Sequence, residues 1–462
     1  MLPAMPLCTL MKMILSPDKA TLALCGVQKR KQVPYRWTGH MITVPCADGL
    51  LIYQTLTGAL CLLSQEEQDS LCFDEQGFLL CTLDTPLAEK LIYSWFLVPA
   101  EFDECKMADD TRRLASLVRG TPKNKTSFTV LTTTDCNARC YYCYEMGIRR
   151  FPMTEAVARD VGNYIVRVSG GERVSLSWFG GEPLLNSAAI DTICGILREN
   201  NISYKSILTS NGYYLNQTIA EKAAKEWLVT QVQITLDGTA ERYNRVKSYL
   251  HPCENPFARV LDNIDFALCV GIEVVIRLNM DRSNAKNLSD LVDVLAERFA
   301  GRENLYAHVI LLVGISGPVH SFASEGEADA CRKRLVEKLD RLGWVKKGTV
   351  SSGIRVNQCI ADNDACEVIL PDGHIQMCEH YDESEIVGSI YDARRDRAII
   401  QKWKETVRFP NCRSCPLFPQ CVSLRHCAWW KNGCSDIMRK NQLERIKTRV
   451  FTAYQKTGGI EL

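Results

Sequence analysis

The sequence predicts an α/β protein built on a partial (β/α)6 barrel of the TIM type, with a small N-terminal α+β module and a cysteine-rich C-terminal region. Three observations predict it. Strand-like and helix-like runs alternate between Ser127 and Trp344, the pattern of a parallel sheet with right-handed crossovers. Six strand-like runs occur there, and a closed eight-unit barrel typically needs about 250 residues. The 22 cysteines are unevenly spread, with eight between Cys359 and Cys434 and three at Cys136, Cys140 and Cys143. The expected divisions are 1–105, 106–345 and 346–462.

The first division contains a hairpin, Met41–Cys46 and Leu50–Gln54, closed by an Asp48-Gly49 turn. A second turn at Thr57-Gly58 precedes Ser64-Gln65-Glu66-Glu67, an S-x-x-E capping box that opens a helix. A further helix is expected over Leu87–Trp95. In the second division, strands are expected at Phe128–Thr132, Val174–Trp178, Ser206–Thr209, Gln231–Leu236, Glu273–Asn279 and Ala307–Val313. Helices are expected over Glu155–Val168, Ile190–Arg198, Phe257–Cys269, Leu288–Phe299 and Glu327–Leu342. The third division is loop-rich and closes on a polar helix, Ser435–Gln455. In such a fold the ligand belongs at the C-terminal ends of the strands.

Composition narrows the class. Lys+Arg is 55 and Asp+Glu is 54, which argues against a strongly basic nucleic-acid surface. No uncharged apolar run reaches the length of about 18 residues that a membrane span needs. Met1–Leu15 lacks a basic start and is interrupted by Lys12, so no signal peptide and no membrane partner are expected. A long chain without an export signal, with cysteines this clustered, points to metal or iron–sulfur ligation in a reducing cytoplasm.

The first expected strand runs into Asp135, then Cys136-Asn137-Ala138-Arg139-Cys140-Tyr141-Tyr142-Cys143, a C-x3-C-x2-C spacing. Three thiolates on a tight loop can hold three irons of a cubane and leave the fourth without a protein ligand. Zinc with a fourth ligand from elsewhere is the other reading. The surroundings discriminate. Gly180-Gly181-Glu182-Pro183 follows the second strand, Ser210-Asn211-Gly212 the third, and Leu236-Asp237-Gly238 the fourth. Together with Tyr142, these motifs resemble those of the radical SAM superfamily, in the family's order.

The resemblance implies that S-adenosylmethionine (SAM) chelates the open iron through its amino and carboxylate groups. One electron then cleaves the sulfonium, and the 5′-deoxyadenosyl radical abstracts hydrogen from the substrate; the protein orients the parts and excludes water. It implies that Tyr142 lies against the adenine. Gly180, Gly181 and Glu182 would meet the SAM amino group through backbone carbonyls, and Ser210 and Asn211 would lie near its ribose and methionine side. Thr235 and Arg245 would hold its carboxylate, a guanidinium fork suiting that group. Asp237 reads alternatively as a turn residue. No catalytic acid or base stands out.

The C-terminal cysteines run Cys359-x6-Cys366-x11-Cys378, then Cys412-x2-Cys415-x5-Cys421-x5-Cys427-x6-Cys434. Eight thiolates suffice for two four-iron clusters or two zinc sites. The field resembles the SPASM extension of radical SAM enzymes, with Gly373 in its place. Five residues separate Cys421 from Cys427 where the family usually has three. The resemblance implies that Cys359, Cys366, Cys378 and Cys427 hold a nearer cluster and Cys412, Cys415, Cys421 and Cys434 an outer one, three [4Fe-4S] clusters in all. Without Cys427, the nearer cluster would have an open iron. The other eleven cysteines, Cys8, Cys25, Cys46, Cys61, Cys72, Cys81, Cys105, Cys194, Cys253, Cys269 and Cys331, read as small buried hydrophobes.

The run Leu51–Gly58 with the capped helix resembles the N-terminal module of radical SAM peptide maturases, where a leader peptide adds a strand to a sheet edge. The implied function is a cytoplasmic maturase installing a thioether, or a carbon–carbon crosslink, in a ribosomally made precursor peptide. A flavodoxin or ferredoxin would be the electron donor. The alternatives are an anaerobic sulfatase-maturating enzyme that forms formylglycine, and a non-catalytic zinc scaffold.

Overall fold

The fold is that of a computed structural model, which describes residues 11–26, 33–79, 85–314, 317–318, 322–350, 353–354, 356, 359–379, 385–421, 424, 427 and 433–457. Cys8, Cys81 and most of the apolar N-terminal run lie outside the described residues. No described helix is long and apolar enough to cross a membrane.

The N-terminal module contains β1 (Lys12–Leu15), α1 (Lys19–Cys25), β2 (Tyr35–Trp37), β3 (Met41–Cys46), β4 (Gly49–Gln54), β5 (Leu60–Leu63), α2 (Gln65–Asp69), α3 (Pro86–Tyr93) and β6 (Leu97–Pro99). Its main sheet is antiparallel in the order β1-β5-β4-β3. The expected hairpin forms with Met41 opposite Gln54 and Cys46 opposite Gly49. Its loop is Ala47-Asp48, one residue earlier than expected. Gly49 opens β4 at φ +136°, and a Cβ there would stand 2.1 Å from the Leu63 carbonyl, so only glycine fits. The capping box forms: Glu67 N–H donates to Ser64 Oγ at 3.2 Å and Ser64 N–H to Glu67 Oε2 at 2.9 Å. Helix α4 (Glu104–Arg119) runs straight through the boundary expected at 105/106.

The barrel strands are β7 (Ser127–Thr133), β8 (Val174–Gly180), β9 (Tyr204–Ser210), β10 (Val229–Leu236), β11 (Glu273–Met280) and β12 (Leu305–Leu311). Between them lie α5 (Glu155–Ser169), α6 (Ser187–Glu199), α7 (Gln217–Lys225), α8 (Ala240–Lys247), α9 (Pro256–Cys269) and α10 (Ala285–Phe299). After β12 come a two-residue hairpin, β13 (Val313–Gly314) and β14 (Gly317–Pro318), and α11 (Glu325–Arg341). All six strands form where expected. The sequence reading missed α4, α7 and α8, which carry few large apolar residues to set a period.

The third division adds β15 (Cys366–Ile369), β16 (His374–Gln376), β17 (Ile386–Ser389), β18 (Asp392–Arg395), α12 (Arg397–Lys404) and α13 (Asp436–Lys456). It also extends the barrel sheet. Strand β15 pairs parallel with β7, and β16–β18 continue antiparallel, giving the order β12-β11-β10-β9-β8-β7-β15-β16-β17-β18.

Alternation along β8 to β12 divides their two faces, whereas β7 is buried on both. On β11, Val274, Ile276 and Leu278 are fully buried in the large core beneath the helices. Trp178 on β8 is fully buried in the same core, where truncation to alanine costs about 3–5 kcal/mol. The opposite face lines a lumen that is not packed shut. Ile207 is 41% exposed, and Ser177, Gln233, Thr235, Arg277 and His308 are half-buried. A closed barrel fills this space with branched apolar side chains; here it is an open, mainly polar trough.

Candidate active site

The cysteine loop leaves the end of β7. Cys136, Cys140 and Cys143 are all half-buried on it. Ala138 N–H points at Cys136 Sγ from 3.4 Å, and Asn211 Nδ2 lies 3.8 Å from the same sulfur. Burial pushes the Cys136 thiol up to about 12 and the Cys143 thiol up to about 11. Burial also raises Cys140, against the opposing charge of Lys247. Thiolates in this setting need a positive partner, which a metal centre supplies.

The glycine run explains itself sterically. Gly180 sits at φ +117°, where a Cβ would stand 2.1 Å from the Thr133 carbonyl. A Cβ on Gly181 would stand 2.3 Å from the Asp135 carbonyl. The pair lets the end of β8 lie directly against the cysteine loop. Glu182 is fully buried and braces the neighbouring turn. Its carboxylate accepts from Ser210 Oγ at 2.9 Å, Asn211 N at 2.7 Å and Leu184 N at 3.1 Å. Burial outweighs these bonds and lifts its carboxyl to about 7. Asn211 then donates Nδ2 to Asn137 Oδ1 at 2.7 Å, tying the Ser210-Asn211-Gly212 turn to the loop.

Below Cys140 lies a buried polar group. Tyr142 donates its hydroxyl to Asp237 Oδ1 at 2.7 Å. Lys247 Nζ lies 3.1 Å from Asp237 Oδ2, and the two side chains are 3% and 2% exposed. Burial opposes the charge most strongly, but Asp237, Tyr142, Cys140 and Tyr243 together hold the Lys247 ammonium well above its usual range. Asp237 is thus a buried ion-pair partner rather than a mere turn residue. Tyr141 donates to Asp281 Oδ2 at 2.8 Å beside it.

Arg245 does not join this group. Its side chain is 67% exposed on the outer face of α8 and pairs with Glu241 at 3.7 Å. Helical spacing is the reason: Tyr243 and Lys247 are four apart and share the buried face, while Arg245 points away. The cation beside Cys140 is therefore Lys247, which the sequence reading missed and the buried Tyr243–Lys247 spacing could have revealed. Thr235 faces the lumen on β10, in register with Arg277 on β11.

The C-terminal cysteines fall into two places. Cys412, Cys415, Cys421 and Cys434 line one cavity, walled by Arg408, Phe418 and Arg439. Cys359, Cys378 and Cys427 pack together against Ala361, Trp403 and Leu424. Cys366 is on β15, where the Ser127 hydroxyl bonds its sulfur. Of the remaining cysteines, Cys25, Cys61 and Cys194 are buried as expected, Cys46, Cys105, Cys253 and Cys331 are half-buried, and Cys72 and Cys269 are exposed.

Among the described residues, no three Cys, His, Asp or Glu side chains converge closely enough for a single metal ion. Tetrahedral zinc would draw its sulfurs to within roughly 4 Å of one another. A cubane is larger, and the loop fits one. It offers three thiols, donors aimed at the Cys136 sulfur, and two buried atoms without hydrogen-bond partners, Asn137 Nδ2 and Glu145 Oε1. The four-thiol cavity fits a second.

A family profile described as a 4Fe-4S single cluster domain matches residues 125–251. The chain is 30% identical over 279 residues to a GTP 3′,8-cyclase of Listeria welshimeri, covering 55% of this chain and 79% of that protein. It is 27% identical over 219 residues to a probable GTP 3′,8-cyclase of Methanocella arvoryzae, covering 46% and 65%. It spans less than two thirds of that relative, and 44% and 47% of two others. Among solved structures, anSMEcpe with bound AdoMet and Cp18Cys peptide superposes with a TM-score of 0.53 at 16% identity, over 72% of this chain and 98% of that one. That likeness is one of fold. The chain belongs to the radical SAM superfamily, whose members hold a 4Fe-4S cluster and S-adenosylmethionine.

Proposed function

We propose that the chain is a radical SAM peptide maturase that crosslinks a ribosomally made precursor, with a thioether as the bond formed. The observation that carries the reading is the seating of the N-terminal module. Pro416, Leu417, Phe418 and Gln420, in the segment between Cys415 and Cys421, touch that module, and Pro419 is held by Arg112 on α4. Thr55 Oγ donates to the Pro416 carbonyl at 2.5 Å, and Leu417 packs among Ile42, Leu51, Tyr53 and Leu60. Phe418 stacks on His40 with ring centroids 5.8 Å apart, and Arg112 Nη2 donates to the Pro419 carbonyl at 2.8 Å. Gln420 Nε2 donates to Tyr53 Oη at 2.8 Å. The sheet so anchored ends at β3, whose outer edge pairs with no strand among the described residues. An extended leader added there would deliver the following segment toward the trough.

When bound, the cluster at Cys136, Cys140 and Cys143 with SAM supplies one-electron reduction and hydrogen-atom abstraction. This chain's residues supply the rest. Tyr142 would lie against the adenine, the Gly180 and Gly181 carbonyls would meet the amino group, and Ser210 and Asn211 would hold the ribose side. Thr235 and Lys247 would hold the carboxylate, Lys247 in the role first given to Arg245. Cys359, Cys366, Cys378 and Cys427 would hold the nearer auxiliary centre; Cys412, Cys415, Cys421 and Cys434 would hold the outer one. One substrate hydrogen leaves as an atom, the cysteine proton leaves to solvent, and the remaining electron leaves through an auxiliary centre. A flavodoxin or ferredoxin feeds the first electron.

The test is anoxic incubation of the reconstituted protein with SAM, dithionite and cysteine-containing peptides encoded beside its gene, read by mass spectrometry. The reading predicts a product two hydrogens lighter whose cysteine no longer alkylates. An aldehyde that reacts with hydrazide instead marks formylglycine chemistry. No 5′-deoxyadenosine with any peptide overturns the reading.

A further inference from the structure

We propose that Arg277 is the seat of an anionic group on the substrate, a carboxylate presented by an acidic residue; the peptide as source of that group rests on the reading above. Arg277 stands on the lumen face of β11, in register with Thr235 on β10 and His308 on β12. This row lies near the C-terminal ends of the strands, where an α/β barrel presents its ligand.

The guanidinium is fixed but not consumed. Its Nε donates to Asn279 Oδ1 at 3.0 Å. Asn279 Nδ2 in turn reaches Asp237 Oδ1 at 3.4 Å, the atom that holds the Tyr142 hydroxyl. One hydrogen-bonded line therefore sets the plane of Arg277 relative to the tyrosine of the cysteine loop. The two terminal nitrogens make no hydrogen bond to protein among the described residues, and this fork is the one that fits an oxyanion edge-on.

Among the described residues, no carboxylate of the trough is paired with Arg277 and none lies within 4.0 Å of it, whereas Arg298 and Arg302 pair with Asp262 and Asp265 at 2.5 and 2.6 Å. The carboxylate on the same face of β11, Glu273, is taken by Lys346 at 2.8 and 2.9 Å. His308 contributes no charge at neutral pH. Burial, then Arg277 and Arg445, lower its imidazole to about 4. A half-buried guanidinium without a partner bears a desolvation cost that an incoming anion offsets. Lys247, already beside Cys140 and paired with Asp237, would be the separate cation for the SAM carboxylate.

The test is calorimetric titration of the anoxic, cluster-loaded protein, with SAM present, using Ac-Ala-Glu-Ala-NH2, Ac-Ala-Gln-Ala-NH2 and GTP as probes. Wild type should bind the Glu probe at least about tenfold more tightly than the Gln probe. Arg277→Gln should erase that preference, Arg277→Lys should keep part of it, and SAM affinity should stay within about twofold in both. Equal affinity for the two tripeptides in wild type, or a preference that survives Arg277→Gln, overturns the proposal. So does an Arg277→Gln variant that weakens SAM and nothing else, because Arg277 would then serve the cosubstrate. Arg277-dependent binding of GTP without either tripeptide keeps the anion seat and fails the peptide reading.

Discussion

Lys247 and Asp237 form an ion pair sealed almost completely from water, 3.1 Å apart, directly beneath Cys140. The pair also holds Tyr142 through the second Asp237 oxygen. It joins the end of β10 to the end of α8 at the point where the cysteine loop crosses them, and Arg139 N–H donates to the Lys247 carbonyl at 2.8 Å.

Removing the cation should therefore be expensive. Lys247→Met leaves the Asp237 carboxylate buried without its charge partner, a loss of about 3–5 kcal/mol. The double variant Asp237→Asn/Lys247→Met should recover most of it. Urea unfolding of the two variants beside wild type checks this; an unaffected midpoint in Lys247→Met would contradict it. Arg245→Ala, on the exposed face, should change stability by less than about 0.5 kcal/mol.

Gly180→Ala should disrupt the site without unfolding the barrel. The new Cβ meets the Thr133 carbonyl at 2.1 Å, backbone against backbone, at a φ of +117° that alanine rarely adopts. The loop must move away from β8, so reductive SAM cleavage should fall by at least about tenfold while far-ultraviolet dichroism stays native. Chromatographic measurement of 5′-deoxyadenosine reads the effect.

The module contacts predict a mechanical linkage. Thr55→Val with Gln420→Leu removes the Thr55–Pro416 and Tyr53–Gln420 hydrogen bonds and leaves every cysteine in place. Two such bonds amount to about 1–3 kcal/mol. Hydrogen exchange of β3–β5 should accelerate on the order of tenfold, with β7–β12 unchanged. Equal acceleration in both regions would refute a local anchor.

His308 predicts a pH window. Its folded pKa, about 4, lies below the ordinary histidine value, so the unfolded chain binds its proton first as pH falls. The His308 contribution is intact above about pH 7 and is lost between about 6.5 and 4. The stability difference between wild type and His308→Gln should shift toward the variant across that window and stay flat above it. A difference independent of pH would show that the imidazole is not held neutral.

The barrel was legible because β8 to β12 carry a two-residue alternation, while β7 is buried along almost its whole length. Val274, Ile276 and Leu278 mark the core side of β11 and leave Arg277 on the other. The chemistry-bearing loops were legible because glycines and cysteines at fixed offsets survive any uncertainty in helix ends. What escaped has local causes. Strand β15 is four residues long and acquires its identity from its neighbours β7 and β16. The role of α4 escaped because its apolar residues are few and Leu117 and Val118 are exposed, 69% and 76%. Arg245 was chosen for its guanidinium alone; the 3.6-residue turn of α8, not recognised as a helix, puts Lys247 on the buried face and Arg245 on the exposed one.

The central claim is a cluster held by Cys136, Cys140 and Cys143 with one iron left for SAM. Electron paramagnetic resonance of the anoxically purified, dithionite-reduced protein, with and without SAM, tests it most directly. The account predicts a signal whose g-values shift on adding SAM, and loss of that shift in Cys136→Ala/Cys140→Ala/Cys143→Ala, while signals from the C-terminal cysteines persist. A reduced-cluster spectrum that SAM leaves unchanged, or a shift that survives the triple substitution, would contradict it.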